Sequence, residues 1–182
     1  MDKMAEIEKL RYPIGKFIAP DNYSKDNLEQ WIQVIQDLPL RLTTEVKKLS
    51  EDQLNTAYRD GGWTVRQVVH HLVDSHLNSY CRFKLAITED TPTIRPYFEE
   101  RWAELEDAKY APVELSLSLL TALHARWVYF LKSLSANDLE KIFFHPESKK
   151  EFALKTILAL YAWHSNHHLH HILELKKTMN WK

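Results

Sequence analysis

The residues best equipped for chemistry are histidines, ten in a chain of 182 residues. Five of them fall in one run, His164-Ser165-Asn166-His167-His168-Leu169-His170-His171. On a helix, positions 164, 168 and 171 follow steps of four and three, so their side chains stack about 5 to 6 Å apart along one side. Such spacing lets two imidazoles grip one ion, each nitrogen at about 2.0 to 2.1 Å. His164 and His168 also continue an apolar stripe of Ile157, Leu160, Tyr161, Ile172 and Leu175. They are therefore expected to point inward, where an imidazole needs a partner.

A second polar stripe lies in His70-His71-Leu72-Val73-Asp74-Ser75-His76-Leu77-Asn78. His71, Asp74, Ser75 and Asn78 share a helical face there. His71 with His164 and His168 would make a three-nitrogen site with an open fourth position, the arrangement that catalytic metals prefer. Asp74 is the candidate to orient a ligand, a water or the substrate without coordinating the ion, and Ser75 and Asn78 are candidates for substrate contact. His171 is the candidate fourth ligand if the ion is structural instead. The other six, His70, His76, His124, His145, His167 and His170, are read as packing or solvated residues. No glutamate stands between the ligands as it does in His-Glu-x-x-His, so the sequence offers no evident general base.

Helices must position these side chains. Only 3 glycines are present in the whole chain, which leaves few sites for the tight turns of hairpins. The segment LRYPIGKFIAPDNY (residues 10–23) reads as an extended part of an N-terminal arm of about residues 1–23. Ser24 then opens a helix to about Leu49, with a kink expected at Pro39. Ser50 and Thr64 each begin a capping box, the first for a short turn and the second for a long helix to about Thr88. Thr91 to Pro112 holds three prolines and reads as a connection carrying one small helix over 99–107. Pro112 suits the first position of a third long helix, to about Leu134, with Leu115, Leu119, Leu120, Leu123, Trp127 and Phe130 as its apolar set. Residues 135–153 suggest a hairpin-like excursion, and the last helix runs from about Leu154 to Met179. Four long helices predict an all-α, four-helix bundle with long crossover connections, one domain over residues 1–182.

Composition excludes other classes. Lysine plus arginine number 24 against 25 aspartate plus glutamate, a net charge of −1 without the basic footprint of a nucleic-acid binder. The most apolar stretch, Leu115 to Leu134, is broken by His124, Arg126 and Lys132, so no membrane span is expected. The first ten residues carry no apolar signal core, and a cytoplasmic location is expected. The single cysteine, Cys81, excludes an internal disulfide, fits a reducing compartment and is read as a packed core thiol.

The stretches LRYPIGKF (10–17), YRDGGWTVRQVVHHLVDSH (58–76), TPTIRPY (91–97), FHPE (144–147) and LYAWHSNHHLHHI (160–172) resemble the DinB-like superfamily. More narrowly, they are similar to its YfiT group of metal-dependent hydrolases, also described as bacillithiol transferases. The resemblance implies a four-helix bundle, a homodimer, and one nickel or zinc ion per subunit held by His71, His164 and His168. Three functions follow. The ion activates a low-molecular-weight thiol such as bacillithiol for transfer to an electrophilic small molecule, which the lack of a carboxylate base favours; or it activates water for hydrolysis; or it serves a non-catalytic dimerisation module.

Overall fold

Two of the four long helices begin where a side chain accepts from a free backbone N–H group of the first turn. The computed structural model describes residues 3–181. A short helix α1 (Lys3–Arg11) precedes the extended arm, so the first half of the expected arm is helical. Pro13 supplies the stop. Ser24 caps α2 (Lys25–Val46), and the helix runs unbroken through Pro39. Ser50 closes a full capping box on α3 (Glu51–Leu54), and Thr64 does the same for α4 (Val65–Thr88). Two small helices rather than one, α5 (Glu99–Trp102) and α6 (Glu106–Tyr110), occupy the connection to α7 (Val113–Ser133). Pro112 stands at the N-cap of α7, one position earlier than expected. After α8 (Ala136–Leu139), strands β1 (Ile142–His145) and β2 (Lys150–Ala153) pair antiparallel, Phe143 opposite Phe152, and lead into α9 (Leu154–Thr178).

The helices α2, α4, α7 and α9 form a four-helix bundle in which α2 packs on α7 and α9, and α4 packs on the same two. Helices consecutive in sequence, α2 with α4 and α7 with α9, therefore stand on the diagonals of the bundle. Their connections must cross one end of it, which is why those connections are long and partly structured. The connection between the adjacent α4 and α7 is also long, and is pinned to the hairpin by hydrogen bonds from Ile94 N to the Phe144 carbonyl and from Phe144 N to the Pro92 carbonyl. At the start of α4, the buried Arg66 donates to Glu51, Asn55 and the Ala111 carbonyl, tying α3 and the end of α6 to the same point.

Two apolar packets fill the interior. One gathers Leu38, Leu42, Val68, Leu72, Leu117, Leu120, Leu169 and Ile172; the other gathers Ile35, Phe83, Trp127, Leu131, Leu154, Leu158 and Tyr161. Between them in sequence lie buried polar residues, His76 and Ser79 on α4, His124 on α7 and Ser165 on α9. The inward face of α7 is thus Val113, Leu117, Leu120, His124, Trp127 and Leu131, while Leu115 and Leu119 point to solvent, 64% and 50% exposed. Of the expected apolar set, Leu120, Leu123 and Trp127 are buried and Phe130 packs against the core, and only Leu115 and Leu119 are turned away from it. Cys81 is likewise exposed rather than packed, because the inward positions of α4 are His76, Ser79 and Phe83. No helix among the described residues is long and apolar enough to cross a membrane.

Candidate metal centre

The adjacency of α4 and α9 brings His71 opposite His164 and His168. One nitrogen from each lies within 4.8 Å of the other two. His71 Nε2 and His164 Nε2 stand 3.3 Å apart. That is long for a hydrogen bond between neutral rings but close to the separation of two imidazoles held at about 2.0 to 2.1 Å by a tetrahedral ion, about 3.3 Å by geometry. His71 and His168 are buried, and His164 looks partly onto the surrounding cleft. Burial, and after it the neighbouring histidines, hold His71 down to about 3 and His164 and His168 well below the ordinary imidazole range. All three are neutral at pH 7, the form that ligates. His168 Nδ1 is buried with no hydrogen-bond partner among the described residues, a sign of a polar cluster built around something further. Nitrogen donors of this type and number suit a divalent transition ion.

A second set, His167, His168 and His171, also brings ring nitrogens within 4.8 Å of one another. It borrows His168 from the first set and is not independent of it. His171 donates its Nε2–H to the Arg11 carbonyl at 3.1 Å and stacks on Tyr58 with 4.0 Å between ring centres. It lies beside His168 but is not one of the three residues His71, His164 and His168, whose ligand nitrogens all fall within 4.8 Å of one another.

Around the site, two concavities of about 610 and 600 Å³ share His164, Glu99 and Glu100 in their walls. They form two lobes meeting at the candidate centre. One lobe is lined by Ser75, Arg82, Tyr97, His145 and Tyr161. The other is walled by His71, His168 and the aromatic residues Tyr12, Tyr58, Trp63 and Trp163. Both the N-terminal arm and the α4–α7 connection contribute. Glu99 has its carboxyl pushed up by burial and then by Glu100 and Glu147. In the first lobe, burial followed by the nearby Arg82 charge lowers His145, and burial raises the Tyr97 phenol.

The other expected site residues divide. Ser75 lines the first lobe and lies 3.3 Å from the Tyr161 hydroxyl, which itself donates to the Ser75 carbonyl. Asn78 turns back to donate to the Asp74 carbonyl of its own helix and lines neither lobe. Asp74 also lines neither lobe; its carboxyl is pushed up to about 6, by burial first and Asp107 second. At three residues beyond His71 it is rotated about 60° off that ligand's direction, toward α6 rather than α9. The lining of the two lobes does not bear on the orienting role expected of Asp74. Glu99 and Glu100, missed in the sequence, do line the cleft; they sit in a short helix whose packing no periodicity announces.

A family model described as the DinB superfamily matches residues 35–172. A Bacillus cereus protein named "Putative metal-dependent hydrolase" is 56% identical over 175 residues, covering 96% of this chain and 100% of its own. A Bacillus anthracis protein of that name matches to the same extent. Among solved structures, YfiT from Bacillus subtilis, described as a probable metal-dependent hydrolase with an unusual four-helix bundle topology, matches with a TM-score of 0.93. It is 49% identical, over 96% of this chain and 99% of that one.

Two outcomes follow from the geometry. His164→Ala or His168→Ala should strip most of the bound metal seen by elemental analysis of the purified protein, whereas His70→Ala and His170→Ala should leave it in place. Full occupancy in both of the first pair would remove the ligand assignment. Asp74→Asn should raise the melting temperature at neutral pH without changing metal content. A carboxyl whose folded pKa is raised costs nothing below its unfolded value of 3.8 and its full penalty above about 6, so the gain should vanish toward pH 4. A loss of stability at pH 7 would show that the charge serves a partner.

Proposed function

The chain belongs to the DinB superfamily, and from that premise we propose that it is a metal-dependent enzyme transferring a low-molecular-weight thiol to an electrophilic small molecule. The observation that carries this reading is the pair of lobes, each the size of a small-molecule site, that meet at His164. A transfer reaction needs two substrates held at one point, and hydrolysis needs only one. His71, His164 and His168 would hold the ion, nickel or zinc, which supplies positive charge that stabilises the deprotonated nucleophile. Bacillithiol is the thiol that the resemblance implies.

The protein's own groups then have defined tasks. Glu99, its carboxyl raised toward neutrality, takes the thiol proton on a carboxylate oxygen. The sulfur lone pair forms a C–S bond as the leaving group departs with its bonding electrons. Glu99 then returns the proton to that group where it is basic enough to take it, and to water where the group leaves as a halide ion. Aromatic walls in the second lobe exclude water and pack the apolar part of a substrate, while Arg82 and His145 in the first offer polar contacts. Three imidazoles within 4.8 Å of one another fit a centre that leaves a position open for substrate.

Hydrolysis is the second reading, and Glu99 favours it, because the same carboxylate could take a proton from water; the relatives' names point the same way. Assembly as a homodimer belongs to the proposal on the strength of the resemblance, and a cytoplasmic location on the strength of the single cysteine and the composition.

Incubation of metal-loaded protein with bacillithiol and an alkyl halide, followed by mass spectrometry, should give a thioether that requires both thiol and metal. Glu99→Gln should cut its rate by about 100- to 10,000-fold, the usual worth of a positioned acid–base group. Metal-dependent ester or amide cleavage without thiol, and no thioether, would make the chain a hydrolase.

A further inference from the structure

Pro39 lies inside α2, where it cannot donate to the carbonyl four residues back, that of Ile35. The vacancy is filled from another helix. His124 Nδ1 on α7 lies 2.6 Å from the Ile35 oxygen. His124 Nε2 lies 2.9 Å from His76 Nδ1 on α4, and His76 Nε2 lies 3.1 Å from His164 Nδ1 on α9. His164 Nε2 then faces His71. The line passes through all four long helices in the order in which they pack.

A carbonyl oxygen can only accept, so the first contact fixes the direction of every other. His124 must carry its proton on Nδ1. A neutral ring has one N–H, so His124 Nε2 is an acceptor and takes a hydrogen bond from His76 Nδ1–H. By the same step His76 Nε2 accepts from His164 Nδ1–H. His164 Nε2 is left bare, its lone pair aimed at the candidate centre. His76 and His124 are fully enclosed, with 0% and 1% exposure, so water does not compete for these contacts.

We propose that the Ile35 carbonyl, freed by Pro39, together with His124 and His76, acts as a tautomer lock that holds His164 with its Nε2 lone pair presented to the metal. His76 and His124 are positioning residues: they touch neither ion nor substrate. The inference rests on the metal-site reading for its consequence, but the lock itself is a property of the metal-free chain. A metal-ligating histidine commonly donates its second nitrogen to a carboxylate or a carbonyl; here the carbonyl is reached through two further rings.

The test is long-range ¹H–¹⁵N NMR of the histidine side chains in the metal-free, full-length protein, which reports the protonated nitrogen of each ring. His124, His76 and His164 should all be protonated on Nδ1 with Nε2 bare. A His164 protonated on Nε2 overturns the proposal. His124→Leu, which leaves His76 without its acceptor, should mix the tautomers of His164 and weaken zinc binding by about 10- to 100-fold. His124→Gln should restore both, because its amide can donate to Ile35 and accept from His76 as the ring does. Equal zinc affinity in the Leu and Gln variants also overturns it. Should the Leu variant fail to fold, the wild-type tautomers and the Gln variant still decide. A chain with all three Nδ1 protons in place that binds no metal would end the metal reading and leave the lock standing; a chain that binds zinc through His164 but shows Nε2–H when metal-free would do the reverse.

Discussion

A hydrogen bond that a proline cannot make organises the middle of this bundle. Because Pro39 offers no N–H, the Ile35 carbonyl must be satisfied from outside its own helix, and burying it unsatisfied would cost on the order of 1 to 3 kcal/mol. His124 satisfies it, which leaves a second nitrogen to be satisfied by His76, and a third ring by the same logic. Each helix must then keep one residue level with the others. Apolar packets on either side of this layer could tolerate a slip of a turn with modest loss, but the polar layer could not, since a partly satisfied buried network is worse than none.

The same layer explains why the site is where it is. His164 lies between the two packets on α9 and faces His71 on the adjacent α4, two helices whose register the imidazole line fixes. Burial keeps His76, His124 and His164 below their ordinary pKa values, His124 to about 4, so the line stays neutral through the physiological range. The segments outside the four long helices then become useful. The α4–α7 segment carries Glu99 and Glu100 over the centre, and the arm before α2 sets Tyr12 against His167 and Phe17 against Trp163. Without those segments the centre would be an open groove.

Much of this was legible in the sequence, because helical periodicity is a strong signal. The four long helices, both capping boxes and the hairpin-like excursion were all readable, and His164 and His168 stood out because they interrupted an apolar stripe. On α7 the positions 117, 120, 124, 127 and 131 step by three and four and include His124, while Leu115 and Leu119, as apolar as the core residues, face solvent. His76, four residues beyond Leu72 and seven before Phe83, carried the same signal. Asp74 could not be placed more finely from the sequence, because membership of a polar stripe fixes a face only to within about 60°, wide enough to turn a side chain from one neighbouring helix to another. Glu99 and Glu100 were beyond reach: they belong to a four-residue helix placed by backbone pairing between Ile94 and Phe144.

The claim on which the rest depends is a three-histidine centre with one position left for substrate, and X-ray absorption at the metal edge of the zinc-loaded protein tests it most directly. The account predicts three imidazole nitrogens at about 2.0 to 2.1 Å and a fourth, non-protein scatterer that is replaced by sulfur at about 2.3 Å when a small thiol is added. Four imidazoles, unchanged by thiol, would contradict it and mark the ion as structural.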